Sequence, residues 1–183
     1  MKSIRHIGEE PVSLPLPADN IVEFHAARIL LLINFCGTAG RIDGLTKLAK
    51  LDFFVRYPDF FAVAKAKEDT KPAKSTEAVE SAMVRHHYGP WDKRYYHVLA
   101  YLEGTELVEI SKKGKGYQLT LTPTGLTKAK ALAEKKSFGP LVERMRDVKK
   151  AFGTRTGSSL KKMIYELFDS EVGKRPLGQV IRR

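Results

Sequence analysis

The residue types in this chain that most directly suggest chemistry are His86, His87, His97 and Cys36. A zinc site needs three or four ligands at paired short spacings, and the adjacent His86–His87 pair and the isolated Cys36 do not supply them. His97 as a general base would need a reacting partner that no local motif provides, so ordinary hydrogen-bonded or surface histidines are expected. Two glycine-flanked loops invite comparison with phosphate loops: Gly37-Thr38-Ala39-Gly40 and Gly153-Thr154-Arg155-Thr156-Gly157. Neither continues into the Gly-Lys-Ser/Thr needed to cradle a nucleotide. No serine sits in a nucleophile elbow, and the Asp and Glu residues are scattered. The expectation is a protein with no catalytic residues, no metal and no cofactor.

The cations are the more informative set. The 183 residues carry a net charge of +11. Residues 128–183 hold 15 Lys or Arg against 6 Asp or Glu, a net of +9, whereas residues 1–127 hold 17 against 15, a net of +2. A polyanion such as double-stranded DNA is the natural partner for such an excess, because neutralising phosphates releases counterions. A solubilising face, or one that meets an acidic protein, is the alternative. The residues assigned to nucleic acid are Lys93, Arg94, Lys112, Lys113, Lys115, Arg144, Lys149, Lys150, Lys161 and Lys162.

The elements that must position them start with Leu107 to Ala133. Leu107, Glu109 and Ser111 alternate with Val108 and Ile110, and Tyr117, Leu119 and Leu121 alternate with Gln118 and Thr120, the period of two half-buried strands. Lys112 to Gly116 supply a permissive turn with three charges at its tip. Pro123-Thr124-Gly125 then opens a helix through Leu126, Ala129 and Leu132. This predicts the wing of a winged-helix domain and the helix behind it.

Upstream, residues 1–19 form an extended arm with three prolines. Asp19 or Asn20 is expected to cap a helix from Ile21 to about Cys36, and its apolar run Ile29 to Ile33 requires burial on more than one side. A short strand at Gly40–Ile42 precedes a helix capped by Asp43 and carrying Leu45, Leu48, Leu51, Phe54 and Val55. Pro58, Phe60 and Phe61 extend or redirect it. Residues 65–76 read as a loop, Thr76 to about His86 as a helix, and Trp91 or Asp92 as the start of the helix before the wing. After the wing, one helix runs through Leu141, Met145, Val148 and Phe152, and another, capped by Ser158 or Ser159, runs through Leu160, Met163, Ile164 and Leu167. Beyond Asp169 the tail is short and polar, with Leu177, Val180 and Ile181 as its docking residues.

The fold expected is therefore α+β, mainly α: a winged helix over 20–136 with an insertion at about 57–90, and a basic helical region over 137–183. Lys93, Arg94 and His97 fall on the helix that a simple winged helix offers to the major groove. However, a helix-turn-helix joins its helices by three or four residues, and here Tyr57 to Trp91 intervene. That length turns the expectation away from operator reading and toward protein contacts. In Arg85 to Tyr96, RHHYGPWDKRYY, the dense aromatics beside cations suit base stacking. The preferred reading is that Tyr88 and Trp91 pack at a Gly-Pro corner and fix the pre-wing helix. One cysteine fits a reducing cytoplasm, and the longest apolar block is too short to span a bilayer, so a cytoplasmic protein without membrane contact is expected.

The segments LTKLAKLDFFVRYPDFF from Leu45 and RHHYGPWDKRYYHVLAYLEG from Arg85, the Tyr-Gln-Leu-Thr wing strand and the terminal GSSLKKMIYELF resemble the middle components of bacterial ABC-three-component systems. The resemblance spans residues 20–168. It implies a winged-helix accessory subunit working beside an ABC-type ATPase, related in design to chromosome-organising ATPases, in antiviral defence against invading DNA. Over residues 40–122 the Lys47-Leu48 helix, the Tyr-Gly-Pro corner and the Leu-Thr wing also resemble the Panacea antitoxin domain, which implies a protein-binding module. A free-standing transcriptional regulator is the third class, and a homodimer is compatible with each.

Overall fold

The structure is a computed structural model, which describes residues 21–67, 83–86, 89–114, 116–174, 176–179 and 181. The arm over 1–19, with Asn20, and most of the loop expected over 65–76 lie outside the described residues, as do His87, Tyr88 and Lys115.

Helix α1 (Val22–Cys36) buries His25, Ala26, Arg28 and every residue from Ile29 to Ile33. A helix apolar on more than one side must be surrounded, and α1 accordingly packs against α2 (Leu45–Arg56), α4 (Tyr95–Gly104), α5 (Pro123–Ala133) and α6 (Gly139–Phe152). It stops at Gly37, where a Cβ would collide with the Ile33 and Arg41 carbonyl oxygens. The chain then forms β1 (Arg41–Asp43) and enters α2.

Strand β1 pairs antiparallel with β5 (Gly116–Leu121), and β5 with β4 (Val108–Lys113), giving the sheet order β1-β5-β4. Ile42, Val108 and Leu119 are buried and root the sheet on the helices. After α2, Pro58 at the first helical position starts α3 (Pro58–Ala66), a redirection rather than a continuation. The rings of Phe53, Tyr57 and Phe60 cluster with centroids 5.1 to 5.7 Å apart. Phe54 and Phe61 meet Phe152 of α6, and Phe60 meets Phe168 after α7 (Gly157–Leu167). At about 1.5–3 kcal/mol for each buried side chain of this size, this cluster is a major part of what holds α2, α3, α6 and α7 together. Val142, Met145 and Val148 of α6 and Leu160 and Ile164 of α7 share one buried cluster with α1 and α2.

Several boundaries differ from the sequence expectation. Val84–His86 is not helical but a strand, β2, paired with β3 (Gly89–Trp91). Gly89, the first residue of β3, takes φ +91°, a conformation that a helix does not contain. Helix α4 starts at Tyr95, not at Trp91 or Asp92: Trp91 is in β3, and Asp92 shapes a turn by accepting from the Arg94 backbone N–H. The cap of α2 is Gly44, at φ +96°, because Asp43 is committed to β1. The cap of α7 is Thr156, whose hydroxyl accepts from Ser159 N–H, so Ser158 and Ser159 are already helical. Helix α1 has Ile21 at its N-cap position. In the tail Ile181 is buried and donates its N–H to the Met83 carbonyl, whereas Leu177 is exposed.

Candidate nucleic-acid interface

The hairpin of β4 and β5 places Lys112 opposite Tyr117 and Lys113 opposite Gly116. Opposed residues share a face, so Lys112 and Tyr117 stand together, and both are exposed. Gly114 takes φ +61° at the turn, where a side chain would be strained. At the root, Asp43 accepts from Gln118 Nε2 at 2.7 Å and lies 3.2 Å from Arg41 Nε. The Gln118 hydrogen bond, with Arg41, Lys113 and Lys47 nearby, holds its carboxyl below the usual carboxylate range.

On the segment before β4, Lys93, Tyr96 and His97 are exposed. Arg94 is differently placed: Nε and Nη2 each donate to Asp92 at 2.8 Å, and Nη1 lies 2.9 Å from His25 Nε2. Its guanidinium is therefore folded back onto the body of the protein.

The C-terminal cations also divide. Lys150 and Lys162 are exposed. Arg144 Nη1 donates to the Val55 carbonyl at 3.1 Å, near the end of α2. Lys149 Nζ reaches the Cys36 and Gly37 carbonyls and the Thr38 hydroxyl, closing the C-terminus of α1, where a cation also suits the helix dipole. Lys161 is half-buried, with Nζ 5.8 Å from the Tyr165 ring centroid. The sequence expectation of phosphate contact did not include these anchoring roles for Arg94, Arg144 and Lys149.

Sequence reasoning missed a buried ionic cluster altogether. Asp92 accepts from Arg56 Nη1 at 2.8 Å and has Arg28 Nη2 at 3.7 Å. Asp52 sits 3.3 Å from Arg28 Nε and accepts the Tyr95 hydroxyl at 2.6 Å. Arg28, Asp52, Arg56 and Asp92 are at most 5% exposed. The legible signal was charge at core-facing positions: Arg28 stands immediately before the apolar run of α1, and Asp52 and Arg56 are four apart in α2. Burial would push Asp92 up, but the Arg94 hydrogen bonds and the Arg56 and Arg94 charges outweigh it and hold the carboxyl well below its usual range. Tyr95 and Asp52 are too deeply enclosed to meet a substrate, and their hydrogen bond joins α4 to α2. Trp91 packs at the foot of α4, its ring 5.2 Å from that of Tyr95.

Two further groups lack the setting for chemistry. The Cys36 thiol is buried and donates to the Met145 carbonyl, and burial pushes its pKa up to about 12. Lys50, fully buried, donates to the Pro90 carbonyl at 2.8 Å. Among the described residues no three of His, Cys, Asp and Glu gather as a metal would require, and no helix is long and apolar enough to cross a membrane. Comparison of the chain with protein families, curated proteins and solved structures finds no match in any of the three.

Proposed function

We propose that this protein is a non-enzymatic winged-helix adaptor that grips the phosphates of duplex DNA and holds a protein partner. In this reading α1, α2 and α4 are the three helices, β1, β4 and β5 the sheet, and the β4–β5 hairpin the wing; α3, β2 and β3 are the insertion. The observation that carries it is the order β1-β5-β4 with Lys112 and Lys113 exposed at the free end of its longest hairpin. Phosphate contacts of this kind set position and affinity without reading sequence. An ABC-type ATPase as the protein partner rests on the resemblance to the middle components of three-component systems.

A second reading, a protein-binding module without DNA, is favoured by one specific feature. A groove of about 230 Å³ between α1, α4 and α5 is lined by Leu30, Tyr101, Leu102, Leu107 and Leu132. Salt titration of binding to random-sequence duplex DNA separates the two. The first predicts a linear fall of log affinity with log salt, and Lys112→Gln with Lys113→Gln flattens the slope by about 2, at about 0.9 for each phosphate left without its cation. No binding at low salt leaves the protein-binding module.

A further inference from the structure

Lys50 of α2 is fully buried, and its Nζ has one acceptor among the described residues, the Pro90 carbonyl of β3 at 2.8 Å. An ammonium carries three donors, so the charged form is poorly served there. A Cβ on Gly89 would lie 3.4 Å from both Lys50 Nζ and Tyr165 Cε2, so β3 closes over the amine where α2 and α7 meet. Lys161 and Tyr165 face it from α7, and β3 presents Gly89, Pro90 and Trp91, none of which ionises. No carboxylate compensates it among the described residues. Asp52 is turned to Arg28, Arg56 and Tyr95, while Glu166 and Asp169 are exposed and paired with Lys162 and Lys174. Burial and the Lys161 charge accordingly lower the Lys50 pKa to about 7.

The hairpin of β2 and β3 is anchored at both ends by bonds without such a conflict. At one end Met83 donates its N–H to the Tyr57 hydroxyl, and its carbonyl accepts from the Ile181 N–H. At the other Trp91 runs into Asp92, which Arg56 holds at 2.8 Å. Between these anchors β3 packs on α2, α7 and the turn Asp169–Gly173. Lifting β3 off α2 therefore admits water to the amine without dismantling the packing of α1, α2 and α6. In that open form Lys50 holds its proton as an exposed lysine does, up to about pH 10.4. Between about 7 and that value the open form binds more protons than the closed one, so the opening constant grows about tenfold for each unit by which pH falls, and levels off below about 7.

We propose that the β2–β3 hairpin is a proton-operated latch: protonation of Lys50 lifts Pro90 and its strand from α2 and α7 while Met83 and Asp92 stay anchored. Its test is amide hydrogen exchange of the full chain from about pH 7 to about pH 9, with β2–β3, β4–β5 and α1 followed separately. An amide whose opening ignores pH exchanges about tenfold faster per unit as hydroxide rises. In the β2–β3 hairpin the falling opening constant should cancel that rise and leave a nearly constant rate, and Lys50→Met should restore the rise. The β4–β5 amides should accelerate in both proteins. Histidines titrate near about 6.5, below this window, and do not imitate the effect. A β2–β3 hairpin that accelerates about tenfold per unit in the parent overturns the latch, without need of the variant. A constant rate that persists in Lys50→Met also overturns it. So does a hairpin that exchanges no faster than the buried amides of α1, since its strand would then leave only when the whole chain unfolds.

Discussion

Arg56 Nη1 and Asp92 Oδ2 lie 2.8 Å apart although 36 residues separate them, and neither is more than 5% exposed. This pair spans the stretch from α3 to β3: it fastens the end of α2 to the turn that launches α4. Arg28 brings α1 to the same carboxylate, and Arg94 doubles the grip from within the turn. Among the described residues, Asp52 meets Arg28 and Arg56, and Asp92 meets Arg28, Arg56 and Arg94, so each of these carboxylates has more than one cation to compensate. Withdrawing these ions from water is costly, and only good geometry offsets the cost.

Asp92→Asn should therefore be strongly destabilising, by about 3–5 kcal/mol, because it leaves buried guanidiniums short of negative charge. The folded-state pKa of Asp92 is depressed, so its contribution is complete above the unfolded carboxylate value of about 4 and is lost as pH falls through the folded value. Urea unfolding followed from about pH 7 down to about 2 should show an acid loss in the parent that begins near about pH 4 and steepens below it, and that the variant lacks. A loss below about 1 kcal/mol at pH 7 would show that the cluster does not fasten α2 to the start of α4.

Lys50 gives the opposite slope. Burial, with the Lys161 charge adding to it, lowers its pKa to about 7. Since an unfolded lysine titrates near about 10.4, the unfolded chain holds more protons between these values, and stability should rise with pH across that window. Lys50→Met should remove this rise while giving up the hydrogen bond to the Pro90 carbonyl. Equal slopes in parent and variant from pH 7 to 10 would place the ammonium in contact with water.

The β4–β5 hairpin and the two C-terminal helices were legible because their patterns are local. Leu119 and Val108 obey a period of two, and Met145, Val148 and Phe152 lie on one helical face. The strand at Val84 was not legible: its partner is Trp91, and only this tertiary pairing decides against a helix. Caps failed where a nearby residue was a better acceptor or was already committed, as with Thr156 for α7 and Asp43 in β1. The candidate site was legible in sign but not in allocation. Composition counts Arg94, Arg144 and Lys149 as surface charge, and only tertiary neighbours reveal them as fasteners of a turn, α2 and α1.

The Thr122-Pro123-Thr124-Gly125 start of α5 offers a graded test. Thr122 accepts from the Gly125 N–H at 2.9 Å, and its own hydroxyl donates to the Glu106 carbonyl. Thr122→Ala should cost about 1 kcal/mol, the usual loss of a cap. Gly125→Ala should cost more, about 1–3 kcal/mol, because a Cβ there would overlap the Leu107 carbonyl oxygen where α5 crosses the start of β4. Chemical denaturation ranks the two, and the reverse order would mean that α5 can move off β4 freely.

Arg94 separates base reading from architecture. A side chain that reads a base edge is worth about 1–3 kcal/mol of discrimination at that position, and its loss leaves folding untouched. A side chain fixed by two 2.8 Å bonds to Asp92 and seated against His25 should do the reverse. Arg94→Gln is therefore expected to lower the unfolding midpoint clearly while leaving the selection of duplexes from a randomised pool unchanged. Lys93→Gln, next to it but exposed, should leave the midpoint where it is. A shifted base preference in Arg94→Gln at constant stability would return α4 to the major groove and make the protein a sequence reader.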